Sequence, residues 1–461
     1  MGLFSVRRTA SACVISAAAV AALAAPGAAS AATQCSGSNI IAAGSTLQKL
    51  AQVSVWDPGF HTSANATACN GSQGSKGEPT ISYESIGSGA GLEDWGFNSH
   101  AFEAGRVAVV ATDEPVNLAQ KAEIEKNETT KVANSVQSIP VLQASVAIIV
   151  NLPSGCTASN GIKKNPWPGR LVIENETLQK IWVGSITKWS EIKEEGDKLT
   201  GATCNPETPI TRVVRLDGSG TTHVFKKYLT LINGTGTFEV EKLNGETVTS
   251  ETWNEISEGA ENTSWPAADH VVRSTKTGGG ALVSKVAETP GSIGYANLAD
   301  ARANGGFSAA GSGPETAKFW APIQNNGLTV VAGKAKFADP STDGDTEPLA
   351  KANCESTSYT NGKGQKFPPK LTADAWNSVT TSTKEKKYAI CGLTYDMVLS
   401  KYSAYPGTSE GEATTAENFL TYVLETGLGG GQVAIGENHD YEPLPTKLLK
   451  EARAGAALAK F

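Results

Sequence analysis

At 461 residues the chain exceeds what one hydrophobic core usually supports, so two domains are expected. Hydrophobic residues make up 39% and charged residues 18%, the balance of a folded soluble protein rather than a disordered one. The formal charge of −7 excludes a whole-surface attraction for nucleic acid or anionic lipid, so any anion must be held by a local site.

The chain opens with Arg7 and Arg8, an apolar run from Ala12 to Ala25, and the small residues Ala29-Ser30-Ala31. This is the pattern of a signal peptide cut after Ala31. The run is too short and alanine-rich to span a membrane, and no later segment reaches the roughly 18 apolar residues a spanning helix needs. Cleavage lowers the formal charge to −9, because it removes two cations and no acid. Cys13 leaves with the leader. Cys35, Cys69, Cys156, Cys204, Cys354 and Cys391 remain, an even set that in an exported chain implies three disulfides. Sequence alone leaves the pairing open; neighbour pairing, Cys35–Cys69, Cys156–Cys204 and Cys354–Cys391, is favoured because each pair brackets one local segment. The spacing is not that of a zinc site.

From Ile40 onward short apolar runs alternate with helical segments, the rhythm of an α/β protein. Expected strands are Ile40–Ala42, Ile81–Tyr83, Arg106–Ala111, Ser145–Val150 and Ile210–Arg215. Expected helices are Thr177–Val183, Thr222–Leu231, Gly280–Ala287 and Thr415–Leu424. Two stretches, Asn233 to Thr263 and Ala301 to Ser382, are rich in Gly, Thr, Ser and charged residues and lack periodicity. They read as surface elaborations, with a partner-binding surface as the sharper alternative.

The chemistry concentrates at strand ends. Val213-Val214-Arg215-Leu216-Asp217-Gly218-Ser219-Gly220-Thr221-Thr222 runs from a strand through a glycine turn into a helix. The first helical turn leaves N–H groups unpartnered, and the helix dipole adds positive potential there. Gly218 and Gly220 permit close backbone approach, Ser219 and Thr221 add hydroxyls, and Arg215 adds a permanent charge in a planar fork. The segment is not a Walker A loop, lacking Gly-Lys-Ser/Thr, and not a nucleophile elbow, since Asp217 stands where Gly-x-Ser-x-Gly requires glycine. His223 reads as a helix-surface or packing residue. None of the five histidines, His61, His100, His223, His270 and His439, joins a recognisable triad. Three further strand ends have the same character: Ala43-Gly44-Ser45-Thr46-Leu47 ahead of a helix, Ser85-Ile86-Gly87-Ser88-Gly89-Ala90-Gly91, and Thr112-Asp113-Glu114-Pro115. Four such ends are where ligands bind in open α/β sheets.

In order, these segments resemble those of the phosphate-binding proteins of ABC-type uptake systems, the PstS family and its DING-type relatives. Gly184-Ser185-Ile186-Thr187-Lys188-Trp189, Thr289-Pro290-Gly291-Ser292-Ile293-Gly294-Tyr295 and Tyr441-Glu442-Pro443-Leu444-Pro445 add to the resemblance. It implies a two-lobed periplasmic-binding-protein fold of type II, each lobe a mixed sheet flanked by helices, with the ligand in the cleft between them. The implied division is a leader at 1–31, a first lobe from 32–143 and 297–461, and a second lobe from 144–296. Inorganic phosphate is the implied ligand. Thr46, Leu47 and Ser88 would donate to it, as would Arg215, Ser219, Gly220 and Thr221. Asp113 would accept its proton, and Asp217 would brace Arg215. Where many relatives have Phe-Pro after the first threonine, this chain has Leu47-Gln48.

The functional expectation is an exported, monomeric receptor that captures phosphate and delivers it to an ABC transporter permease. It has no catalytic residue, cofactor, metal, membrane span or nucleic-acid partner. Two alternatives remain: a secreted phosphatase-like enzyme on the same scaffold, and a surface interaction protein that retains an anion cleft.

Overall fold

The computed structural model describes residues 35–70, 78–163, 166–193, 196–233, 236–309, 318–325, 335–342, 351–354, 356–360, 380–383, 387–437 and 439–461. The expected leader, and much of the 301–382 elaboration, lie outside them. Nine strands form one sheet path: β1 (Ile40–Gly44), β2 (Ile81–Glu84), β3 (Val107–Thr112), β4 (Val136–Asn151), β5 (Thr211–Val214), β6 (Val271–Arg273), β7 (Ser292–Asn297), β8 (Lys318–Ala321) and β9 (Cys391–Leu399). Their order is β6-β5-β7-β4-β9-β3-β1-β2, with β8 also paired to β4. β1 runs parallel to both β2 and β3, and β5 parallel to both β6 and β7. Each end of the sheet is therefore a parallel layer whose strands reach their neighbours through helical crossovers, the arrangement that gathers strand ends into one crevice.

Helices cover these layers, and two buried apolar clusters result. The first takes Ala42, Leu47, Trp56, Val109, Leu142, Met397, Phe419 and Leu448 among others. The second takes Ile148, Trp182, Val213, Phe225, Trp265, Leu282, Ile293 and Trp320. They are the cores of two lobes. The strand that joins them is β4, all sixteen residues of which are buried. Its first part, Val136 to Ser145, pairs antiparallel with β9; the remainder pairs antiparallel with β7 and β8.

The strand is longer than the expected Ser145–Val150, because its first half carries Gln137, Ser138, Pro140 and Gln143, which break the apolar pattern. Pro140 is accommodated beside a register shift between Thr394 and Tyr395 of β9, a place where a strand tolerates a missing N–H. The expected helices are all present and each is slightly longer: Asn175–Val183, Gly220–Asn233, Gly279–Glu288 and Glu410–Val423.

The sequence-based division assigned residues 297–461 to the first lobe. Among the described residues, the buried apolar side chains from Leu298 to Cys391 join the second core except Ala299 and Ala338, and Leu393 is the next to join the first. We propose that the chain re-enters the first lobe at the start of β9. There Cys391 faces Ser145 of β4, so both crossings between lobes fall on one hydrogen-bonded pair of strands. The three disulfides are Cys35–Cys69, Cys156–Cys204 and Cys354–Cys391, the favoured neighbour pairing. No helix among the described residues is long and apolar enough to cross a membrane.

Candidate functional site

Strand ends from both lobes meet at one cleft. In the first lobe, β1 ends at Gly44, whose backbone has φ +131°; a Cβ there would fall 2.1 Å from the Ala111 carbonyl oxygen. That close approach packs the β1 turn onto β3. The Ser45 amide donates to the same carbonyl at 2.8 Å, and the Gly87 amide donates to the Gly44 carbonyl at 2.7 Å. Gly87, with φ +107°, then starts helix α1 (Ser88–Asp94). These bonds set Thr46, Ser88 and Asp113 on three neighbouring turns.

Asp113 is buried. Its Oδ1 accepts from Ser45 Oγ at 2.6 Å and from Thr394 Oγ1 at 2.6 Å, whereas Oδ2 has only a 3.5 Å contact from Ser88 Oγ. One carboxylate oxygen is thus used by the protein and the other faces the cleft. Burial pushes its pKa up, against the opposing effects of the Ser45 and Thr394 hydroxyls and the Arg215 charge. Gln48 donates to Thr394 Oγ1 and to the Tyr395 carbonyl, which leaves the Thr394 proton for Asp113.

In the second lobe, β5 delivers Arg215, and helix α2 (Gly220–Asn233) follows the glycine turn. Arg215 is almost fully buried and forks onto Asp217: Nε donates to Oδ1 at 2.8 Å, and Nη2 pairs with Oδ2. Its Nη1 donates to Ser219 Oγ at 2.8 Å and reaches across the cleft to Thr46 Oγ1 at 3.4 Å. Helix α3 (Gly279–Glu288) supplies another N-terminus here: the Gly279 amide donates to Thr46 Oγ1 at 3.3 Å and the Gly278 amide to Asp217 Oδ1 at 3.2 Å.

A hydroxyl has one proton and two lone pairs. Ser219 Oγ accepts from Arg215 Nη1 and from the Thr222 amide at 3.2 Å, so its lone pairs are filled and its proton is left to donate. Thr46 Oγ1 likewise accepts twice, from Arg215 and Gly279. Ser88 Oγ accepts from the Asp113 amide at 3.2 Å. Thr221 Oγ1 is buried with no hydrogen-bond partner among the described residues. The hydroxyl protons of Ser219 and Thr46, a guanidinium and helix N-termini therefore share the cleft with one lightly used carboxylate oxygen, Asp113 Oδ2. That set is fitted to a small oxyanion that carries at least one proton.

The two faces are close. A Cβ on Gly220 of the second lobe would lie 2.4 Å from Asp113 Cβ and 2.6 Å from Ser88 Oγ of the first. Gly220→Ala is therefore expected to leave each lobe folded but prop the cleft open. Its melting temperature without ligand should stay near that of the parent, while stabilisation by added oxyanion disappears. A normal ligand-induced shift would show that the faces do not need this spacing.

Of the residues expected at the site, Thr46, Ser88, Asp113, Arg215, Asp217, Ser219 and Gly220 are brought together here; Thr221 follows Gly220 in the first turn of α2, and Leu47 follows Thr46 with its side chain buried in the first core. The expectation missed Ser45, Thr394, Gly278, Gly279, Asn262 and Asp300. Burial pushes the pKa of Asp300 up to about 6, while Arg215 and Lys49 pull it down. Gly278-Gly279-Gly280 was findable, because it repeats the strand–glycine–helix layout of residues 215–222 after β6. Thr394 carries no such signal, standing mid-strand and 281 residues from Asp113. His223 is a packing residue: its Nδ1 meets the Ser257 carbonyl at 3.0 Å, and burial lowers its pKa to about 4. The 233–263 stretch divides. Phe238–Glu241 and Thr247–Glu251 form a largely exposed hairpin, whereas Asn262 is buried against Ser219, so its end is no surface loop. Among the described residues, the grouping of metal-type ligands Cys35, Cys69 and Glu78 consists of a disulfide and one acid.

A family model for the PBP superfamily domain, PBP_like_2, matches residues 29–426. The phosphate-binding protein PstS 3 of Mycobacterium leprae is 25% identical over 374 residues, covering 79% of this chain and 75% of that protein. The phosphate-binding protein PstS of Haemophilus influenzae is 24% identical over 375 residues, covering 81% and 83%. Among solved structures, a high-affinity periplasmic phosphate-binding protein (PfluDING) bound with phosphate superposes with a TM-score of 0.56 at 18% identity, covering 90% of this chain and 93% of that one. A phosphate-binding protein from Stenotrophomonas maltophilia gives 0.55 at 18% identity with the same coverage. The fold is that of the periplasmic binding proteins, and the chain belongs to the PBP superfamily as a PstS-type member.

Proposed function

We propose that this chain is an exported receptor that closes its two lobes over one inorganic phosphate ion and hands it, untransformed, to an ABC-type permease. The observation that carries the reading is the half-used carboxylate of Asp113, set among hydroxyl, guanidinium and amide donors from both lobes. Phosphate at neutral pH has both oxygens to accept those donors and a proton to give Asp113 Oδ2. Thr46, Leu47, Ser88, Arg215, Ser219, Gly220 and Thr221 serve as donors, and Asp217 holds the arginine fork in place. The names of the relatives, which are phosphate-binding proteins, favour the same ligand.

The role is one of binding without turnover, a reading supported by relatives that are named as phosphate-binding proteins. Release outside the cytoplasm follows from the leader pattern at residues 1–31. Hinged closure between lobes gives a permease a surface that differs between empty and loaded receptor.

A thermal-shift screen of oxyanions tests this directly, since a tight ligand raises the melting temperature by mass action. Phosphate and arsenate should stabilise strongly and sulfate weakly. Equal shifts with all three, or none with phosphate, would contradict the assignment.

A further inference from the structure

The two short helical turns at 255–257 and 259–263 touch both the anion loop and the opposite lobe. Asn262, 1% exposed, pairs with the backbone of Ser219 in both directions: the Ser219 amide donates to Asn262 Oδ1 at 3.1 Å and Asn262 Nδ2 donates to the Ser219 carbonyl at 2.9 Å. The segment is anchored from beneath by the buried Lys226, whose Nζ donates to the carbonyls of Ile256, Asn262 and Ser264 at 2.9, 2.8 and 2.5 Å. On its outer side the Gly259 amide crosses the cleft and donates to Glu114 Oε1 at 2.8 Å. Glu114 follows Asp113 in the first lobe and is itself buried. Its Oε1 also accepts from Gln120 Nε2 at 3.3 Å.

We propose that residues 255–264 form a clasp, in which Glu114 captures Gly259 when the cleft closes and Asn262 passes that closure to the backbone of Ser219. Glu114 and Asn262 are then positioning residues for the anion, touching it through other groups. The idea rests on the phosphate reading above. Lobe contact at Glu114 and the shape of the anion loop become one event, because a single anchored segment carries both.

The clasp has a proton dependence. Closure removes the Glu114 carboxyl from water and pushes its pKa up to about 7. The charged groups facing it are Glu258, which opposes its ionisation, and Lys227, which favours it; Glu93, Asp217, Lys242 and Glu246 line the same cavity. Both donors converge on Oε1, an arrangement compatible with a proton on Oε2. In the open cleft the carboxyl meets water and ionises at lower pH. A group whose pKa is raised in the closed state favours closure below that value, and its contribution is lost as pH rises through about 7.

The test is phosphate affinity by calorimetry on the full mature chain and its Glu114→Gln, Glu114→Ala, Asn262→Ala and double Glu114→Ala/Asn262→Ala variants, at pH 6 and pH 8. Asn262→Ala should weaken binding by at least about tenfold, the loss expected when two buried backbone groups lose partners. At pH 6 the double variant should lose clearly less than the product of the single losses, because both act through one segment. The ratio of wild-type to Glu114→Gln affinity should fall by up to roughly tenfold from pH 6 to pH 8, the phosphate's own titration cancelling between them. Multiplicative losses, or a ratio unchanged with pH, would overturn the clasp while leaving phosphate binding in place. Failure of the wild-type chain to bind phosphate at all would overturn the function and the clasp together. Should Asn262→Ala fold poorly, the Glu114→Gln ratio decides alone.

Discussion

Arg215→Ala is expected to weaken phosphate binding by roughly 100-fold or more, the loss typical of breaking a buried charged pair. Three effects add. The anion loses a permanent charge held in a fixed fork. Ser219 and Thr46 each lose the donor that fills one lone pair, so their protons are no longer committed to the ligand. Asp217, whose two oxygens both pair with the guanidinium, is left as a largely buried acid beside an anion, retaining the Gly278 amide at 3.2 Å. Arg215→Lys should recover part of the loss, because an ammonium restores the charge but not the fork. Isothermal calorimetry checks both variants; near-parental affinity for Arg215→Ala would remove the arginine from the site.

Asp113→Asn should lower the preference for phosphate over sulfate by roughly 100-fold, about 2.7 kcal/mol. With aspartate, phosphate gives its proton to Oδ2 in a short charge-assisted bond, whereas sulfate, which has none, presents an oxygen to a carboxylate in a buried site. Asparagine reverses one side of that comparison: its amide can donate, so sulfate gains while phosphate loses its acceptor. Ser45 and Thr394 still bond the remaining oxygen, which keeps the side chain oriented. Competition between the two anions gives the ratio, and a preference that survives the substitution would mean discrimination arises elsewhere.

The parts of this site that could be read from sequence are those whose chemistry is local. A strand, a glycine turn and a helix start fall within ten residues at 213–222, and the glycines at 44 and 87 mark turns whose positive φ that residue type accommodates. Groups that depend on distant chain were not legible. Thr394 is one residue of an otherwise ordinary buried strand, and only the β9–β3 pairing puts it on Asp113. Asn262 sits at the end of a polar stretch that looks solvent-facing because its hairpin is; burial of that one amide depends on Lys226 gathering three carbonyls beneath it. The crossing back to the first lobe proposed at the start of β9 is not legible in the sequence for a related reason. Trp320, Ile323, Tyr388 and Ile390 are scattered among Gly, Ser and Lys, so the run shows no periodicity although these side chains fill the second core.

Because β4 and β9 cross between the cores side by side, with Cys391 opposite Ser145, relative motion of the lobes must flex a two-stranded ribbon rather than turn about a loose tether. Such a ribbon bends across its flat face more readily than it shears along its length, so opening of the cleft is expected to follow that bend with the Cys391–Ser145 register kept. Cys391 is also bonded to Cys354, which ties the flexing point to the elaborated part of the second lobe. A molecule gripping that outer region would stiffen the ribbon, and with it slow the exchange of captured ion.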